Sequence, residues 1–173
     1  EEILSNTSWI YRMGKEPGEV VEEFRVSPAD EKIAECMGIN SGDDVFIVRR
    51  VRTADGEPIV AEEIAFDASL AETIQGIDTS EESIHRELIR AGTDFNNISR
   101  AFTVEQADEA TAAKLGLEPG APVLVIKITA YTHNGKILSI ARDVYRTESL
   151  HFGLNNVRGH SSPLWFQVES SIQ

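Results

Sequence analysis

Ser27-Pro28-Ala29-Asp30-Glu31-Lys32-Ile33-Ala34-Glu35-Cys36-Met37-Gly38-Ile39 is matched further along by Glu105-Gln106-Ala107-Asp108-Glu109-Ala110-Thr111-Ala112-Ala113-Lys114-Leu115-Gly116-Leu117, at an offset of 105 − 27 = 78. Five positions are identical (Ala29/Ala107, Asp30/Asp108, Glu31/Glu109, Ala34/Ala112 and Gly38/Gly116), and Gly42/Gly120 and Val45/Val123 extend the match. Each copy reads as a helix opened by acidic residues, which suit the positive end of its dipole. Each helix is closed by a glycine, which takes a left-handed cap at little cost. A tight loop, a strand, a hairpin and a returning strand follow. Val45 to Arg52 and Val123 to Tyr131 are strands by composition, turning at Ala54-Asp55-Gly56 and His133-Asn134-Gly135, and returning over Ile59 to Phe66 and Ile137 to Arg146.

Outside the copies, Ser80 to Ala91 reads as a helix with Ile84, Leu88 and Ile89 on one face, capped by Thr79 or Ser80 and ended by Gly92. Val20 to Val26, Phe102 to Val104 and Leu164 to Val168 read as further strands, with a loop after Phe152. Hairpins joined by helices predict an α+β fold built on a mainly antiparallel sheet. Two related halves would give that sheet a pseudo-two-fold axis.

Composition narrows the function. The 173 residues suit one domain, and 16 basic against 29 acidic residues give 16 − 29 = −13. There is no Lys/Arg cluster to meet phosphates, so the chain is not expected to bind nucleic acid by itself. The same charge disfavours an anionic membrane surface, and no apolar run approaches the roughly 20 residues that span a bilayer. Cys36 is the sole cysteine, which excludes an internal disulfide and fits a reducing compartment. At the end of its helix it reads as a buried or half-buried small residue rather than a reactive thiol. His85, His133, His151 and His160 lack metal-ligand spacing, and no phosphate-binding loop or nucleophile elbow is present. No metal, cofactor or catalytic residue is therefore expected. His85 reads as a solvated or packing residue and His133 as a hairpin tip.

The chemistry concentrates in Arg49-Arg50-Val51-Arg52-Thr53-Ala54-Asp55-Gly56-Glu57-Pro58-Ile59-Val60-Ala61-Glu62-Glu63. By alternation Arg50 and Arg52 share a face with Phe46 and Val48, and Glu62 shares one with Val60, Ile64 and Phe66. A three-residue loop puts all three charges on one face; a two-residue Asp-Gly loop would separate them. The charges read either as an ion pair on a solvated sheet face or as a site for an anion. At the same offset the second copy carries Ile128 and Ala130, so the arginines are not demanded by the architecture.

The run Arg50 to Glu63, together with Lys114-Leu115-Gly116-Leu117-Glu118-Pro119-Gly120-Ala121-Pro122-Val123-Leu124 and Asp143-Val144-Tyr145-Arg146, resembles the UTRA domain over about Thr7 to Phe152. UTRA domains are the effector-binding halves of HutC-type, GntR-family transcription regulators. The resemblance implies a chorismate-lyase-like fold over residues 1–173, with 1–6 as the end of a linker from a winged helix-turn-helix. It implies a cytoplasmic homodimer, most simply a repressor, that reaches operator DNA only through that other domain, consistent with a chain that starts at Glu1. It implies a small anionic effector such as a sugar phosphate. Arg50 and Arg52 match the family's phosphate-contacting arginines, Glu62 its carboxylate and Tyr145 its late tyrosine. Ser83, with Ser80 as second choice, matches a serine at the start of the central helix, and Thr7 or Ser8 a hydroxyl near the start of the domain. Ser139 stands where many members carry a glutamate and Ile137 where they carry a proline, so the effector is expected to differ from an amino-sugar phosphate. Two alternatives compete: a chorismate-lyase-like enzyme and an effector-free dimerisation module.

Overall fold

The computed structural model describes residues 6–148, and the backbone of two further strands over 150–154 and 164–168. His160, the side chain of His151 and positions 155–163 of the loop expected after Phe152 lie outside the described residues; Gly153 and Leu154, expected in that loop, are strand. The helices are α1 (Asn6–Arg12), α2 (Glu31–Met37), α3 (Ala71–Gln75), α4 (Ile84–Arg90) and α5 (Glu109–Leu115). The strands are β1 (Pro17–Pro28), β2 (Asp44–Ala54), β3 (Glu57–Asp67), β4 (Asn97–Gln106), β5 (Pro122–Tyr131), β6 (Ile137–Arg146), β7 (Leu150–Leu154) and β8 (Leu164–Val168).

Six strands form one antiparallel sheet in the order β1-β2-β3-β6-β5-β4; β7 and β8 pair separately. Two three-strand units thus meet at β3 and β6. The helix before each unit's middle strand is capped alike. Asp30 (φ −70°, ψ 173°) accepts from Ile33 N at 2.8 Å, and Asp108 (φ −71°, ψ 171°) accepts from Thr111 N at 2.7 Å. Both helices end on a left-handed glycine, Gly38 at φ 68° and Gly116 at φ 63°. Ala34, Met37, Ala112 and Leu115 turn inward against Val45, Ile47, Val123 and Val125 on one face of the sheet. Cys36 lies on the outer side of α2 and is exposed, which corrects the expected burial: the inward stripe falls on Ala34 and Met37.

The opposite face is covered by α1, α3 and α4. Trp9 and Ile10 of α1 pack on Val60, Leu124, Ile126 and Tyr145; Ile74, Ile84 and Leu88 pack on Phe46, Val48, Ile64 and Phe66. Helices α1 and α3 carry no local sequence signature, and Asn6, expected at the end of a linker, is the first residue of α1. Helix α4 starts at Ile84 rather than Ser80. Asp78 ties down the preceding turn, its carboxylate accepting from Ser80 N at 3.2 Å and its carbonyl from Glu82 N at 2.9 Å. The cap is therefore Ser83, whose Oγ accepts from Arg86 N at 3.4 Å, in place of Thr79 or Ser80.

The β2–β3 hairpin resolves the loop question in an unforeseen way. Ala54 pairs with Glu57, so the loop is the two-residue Asp55-Gly56, both at positive φ (52° and 83°) as in a type I′ turn. Two residues further the register jumps: Thr53 faces Pro58 but Arg52 faces Val60, leaving Ile59 as a bulge. The extra residue reverses the alternation that the short loop alone would set, and Arg50 stands directly opposite Glu62. Parity along this hairpin is thus set by a bulge as well as by loop length.

The matched caps yield a test. Asp30→Ala and Asp108→Ala are each expected to lower unfolding stability by about 1 kcal/mol, and the double variant by their sum because the sites share no partner. Urea denaturation of the three variants measures this.

Candidate functional site

A polar cluster sits in the middle of the α1/α3/α4 face. In register across the sheet, Asp143, Glu62 and Arg50 form one row, and Tyr145, Val60, Arg52 and Glu19 the next. Arg50 Nε donates to Glu62 Oε2 at 2.5 Å and Nη1 to Glu19 Oε2 at 3.0 Å. Arg52 donates from Nη1 to the Thr79 carbonyl at 2.9 Å and from Nη2 to Thr7 Oγ1 at 2.5 Å. Thr79 Oγ1 completes the ring by donating to Glu19 Oε1 at 2.7 Å. Arg50, Arg52 and Glu62 are all buried, which rules out the solvated ion pair.

Helix α1 reaches into this cluster. Asn6 Nδ2 donates to Glu62 Oε1 at 2.5 Å and to Asp143 Oδ2 at 3.3 Å, while its Oδ1 accepts from the Tyr145 hydroxyl at 2.7 Å. The edge of the Trp9 ring meets Tyr145 at 6.0 Å. Two carboxylates bridged by one amide repel each other, and the arginines decide which stays charged. Burial would raise Glu62, but Arg50 and Arg52 outweigh it and hold Glu62 below the usual carboxylate range. Asp143 lacks such a partner: burial first, and the Glu62 charge second, push it up to about 8. It is protonated at neutral pH, and its Oδ1 is buried with no hydrogen-bond partner. Burial tends to lower Arg50, yet Glu62 and Glu19 hold it above its ordinary value; burial and then Arg50 pull Arg52 below its own.

Beside the cluster lies a cavity of about 70 Å³. Its floor is apolar, from Ile64, Ile126, Ile128 and Ala141, and its cover comes from α1, from the cap residue Ser83 and from Ile84 and His85 of α4. His85 stands between the Phe66 and Phe95 rings, 5.3 and 5.4 Å away, and burial pulls it down to about 4, so it is neutral. Its Nε2 is hydrogen-bonded to Ser139 Oγ at 3.3 Å.

Of the residues expected from sequence, Arg50, Arg52, Glu62, Ser83, Tyr145 and Thr7 line this cavity. Ser139 is buried one contact behind, against His85; Ser8 does not line the cavity, and Ser80 is exposed and bonded to Asp78. The reading missed Asn6, Asp143, His85, Arg100, Glu19 and Thr79. Asp143 was within reach, since it has the same strand parity as Ser139 and Tyr145. Arg100 required the full length of β4, of which only Phe102 to Val104 was read.

The sequence model of the UTRA domain matches residues 12–151. The chain is 29% identical over 155 residues to the HTH-type transcriptional repressor NagR of Bacillus subtilis, covering 87% of this chain and 62% of that protein. It spans less than two thirds of that relative. The crystal structure of the effector domain of PhnF from Mycobacterium smegmatis superposes with a TM-score of 0.73 at 22% identity, over 85% of this chain and 91% of that one. A GntR-family transcriptional regulator from Bacillus cereus gives 0.72 at 21% identity, over 82% and 99%. At these identities the two structures establish the likeness of fold.

The charges in the cluster predict a pH profile. Asp143 is raised in the folded state, so above its unfolded value the native protein holds the extra proton and stability falls as pH rises towards 8. His85 is lowered, so its contribution grows from about pH 4 to 6.5 and offsets that fall. With the two slopes cancelling from about pH 4 to 6.5, stability is expected to stay level over that range and to drop by about 2 kcal/mol from pH 6.5 to 8, at about 1.4 kcal/mol per pH unit for one proton. Asp143→Asn should abolish the drop, and denaturation curves at half-unit steps of pH read it.

Proposed function

Because the chain belongs to the UTRA domain family, we propose that it is the effector-sensing domain of a GntR-family transcriptional regulator, with a small anion such as a sugar phosphate bound in the cavity. The observation that carries this reading is the burial of Arg50, Arg52, Glu62 and Asp143 around a cavity on an otherwise apolar sheet face. A buried ion pair is commonly no more stable than well-packed apolar residues of similar volume. Such a cluster is therefore better explained by what it binds than by what it holds together. On this reading Arg50, Arg52, Glu62, Ser83, Tyr145 and Thr7 face the effector and Ser139 supports it through His85; Ser8 has no part. A homodimeric repressor in the cytoplasm, contacting operator DNA through a separate winged helix-turn-helix domain, completes the proposal; a repressor's name on NagR supports that sense of action.

Helix α1 supplies the coupling. A cavity of 70 Å³ has room for a few waters. A hexose phosphate is larger, so its entry requires the cover to shift. Asn6 and Thr7 occupy hydrogen-bonding positions on Glu62, Asp143, Tyr145 and Arg52 that an effector would contest. An effector that displaces them favours a state in which α1 is repositioned, and only that difference in affinity can shift the population. One feature favours a second reading, a lyase: Asp143 and Glu62 are neighbouring carboxylates held in opposite protonation states, as an acid and a base would be. Optical assay for turnover of chorismate separates the two.

A thermal-shift screen tests the proposal directly. A bound effector at about 100 times its dissociation constant adds about 2.7 kcal/mol, or about 5–10 °C for a domain of this size. A shift with a hexose 6-phosphate, much smaller with the free hexose, is the expected result. A flat response to sugar phosphates, carboxylates and inorganic phosphate alike would overturn the anion reading.

A further inference from the structure

The two arginines that the sequence marks as anion ligands are already engaged within the protein. Arg50 is held by Glu62 and Glu19, and Arg52 by the Thr79 carbonyl, Thr7 and the nearby Glu19 carboxylate at 3.5 Å. Two positive charges thus stand against two negative ones, and Asp143 is protonated at neutral pH. A third guanidinium lines the same cavity. Arg100 projects from β4 in register with Ile128, Ala141 and Ile64, on the face that carries the cluster. Among the described residues, no hydrogen bond or ion pair engages its guanidinium. Burial pulls it below its ordinary value, opposed only at longer range by Tyr145 and Asp143. The excess positive charge of the cavity therefore resides on Arg100.

Position adds a second argument. Asp143 lies on β6 and Arg100 on β4, two strand spacings across and two residues along the strand, or about 12 Å apart, with Ile126 and Ile128 of β5 between them. One end of the cavity offers the unpartnered Asp143 Oδ1 beside Asn6 and Tyr145; the other offers an unpaired guanidinium. A half-buried cation without a partner costs stability unless something else meets it.

Resting on the effector-binding reading above, we infer that Arg100 anchors the charged group of the effector. The Arg50–Glu62–Asp143 end receives its uncharged hydrogen-bonding part. The ligand class is a small oxyanion with its charge at one end and hydroxyl or amide groups at the other, across a short apolar waist. Arg50 and Arg52 then shape the uncharged end rather than take up the anion.

Calorimetric titration with a hexose 6-phosphate, a hexuronate and inorganic phosphate tests this on the wild type, Arg100→Gln, Arg100→Lys and Arg142→Gln. The last removes a surface charge paired with Glu105 at 2.7 Å and controls for the overall field. Arg100→Gln is expected to weaken whichever of these anions binds by about tenfold or more. Arg100→Lys should recover part of the loss, and the melting temperature without ligand should not fall, since the Arg100 guanidinium has no hydrogen-bond or ion-pair partner among the described residues. Binding within twofold of wild type in Arg100→Gln, or an equal loss in Arg142→Gln, overturns the assignment to Arg100 and leaves the effector-binding reading standing. No binding of any of the three anions by the wild type overturns both.

Discussion

The Arg50–Glu62 pair is the constraint around which this face of the sheet is arranged. A buried guanidinium and a buried carboxylate each demand every hydrogen bond they can make, because removing one partner leaves an uncompensated charge in a medium that solvates it poorly. Glu62 has Asn6, so the first residue of α1 is drawn into the core; Arg50 and Arg52 have Glu19 and the Thr79 carbonyl, so β1 and the turn before α4 close over them. Asp143, with no cation of its own, keeps a proton instead. The elements that cover this face are positioned by polar satisfaction as much as by apolar contact, which is unusual for the middle of a sheet.

The two faces accordingly divide the work. On one, α2 and α5 are anchored by matching aspartate caps and glycine stops over alanines and β-branched residues, and nothing there is left unsatisfied among the described side chains. On the other, α1, α3 and α4 are short, and the buried Oδ1 of Asp143 and Nε of Arg52 lack hydrogen-bond partners. Local rules agree with one another on the first face and conflict on the second, the distribution expected when a scaffold carries a site.

That division also explains what could be read in advance. The helices α2 and α5 and both hairpins have local signatures — aspartate, glycine, alternating apolar residues — and their bounds came within a few residues. Helices α1 and α3 have no such signature: Asn6 and Thr7 are held by residues 45 or more positions away, and no local pattern encodes that. In the site, Arg50, Arg52, Glu62 and Tyr145 were legible because alternation along a strand is a short-range rule. Asp143 obeyed the same rule and was overlooked. Glu19 and Arg100 lie near the far ends of β1 and β4, strands whose outer faces are exposed and whose apolar alternation is weak. Ser80 and Ser83 could not be separated without knowing that Asp78 fastens the turn between them.

The single unpaired residue Ile59 reaches further than its own position. Every residue of β3 from Val60 onward owes its facing to that one insertion, so the reading frame of side chains along the hairpin is a property of chain length between Arg52 and Glu62. Loss or gain of one residue in that interval, unless a bulge disappears or forms to absorb it, transposes the inward and outward residues of β3. Changes of two codons, or a deletion matched by a nearby insertion, preserve them. Chain length in this interval is thus a constraint separate from composition, which the positive-φ Asp55-Gly56 turn and the buried Ala54 and Val60 restrict on their own account.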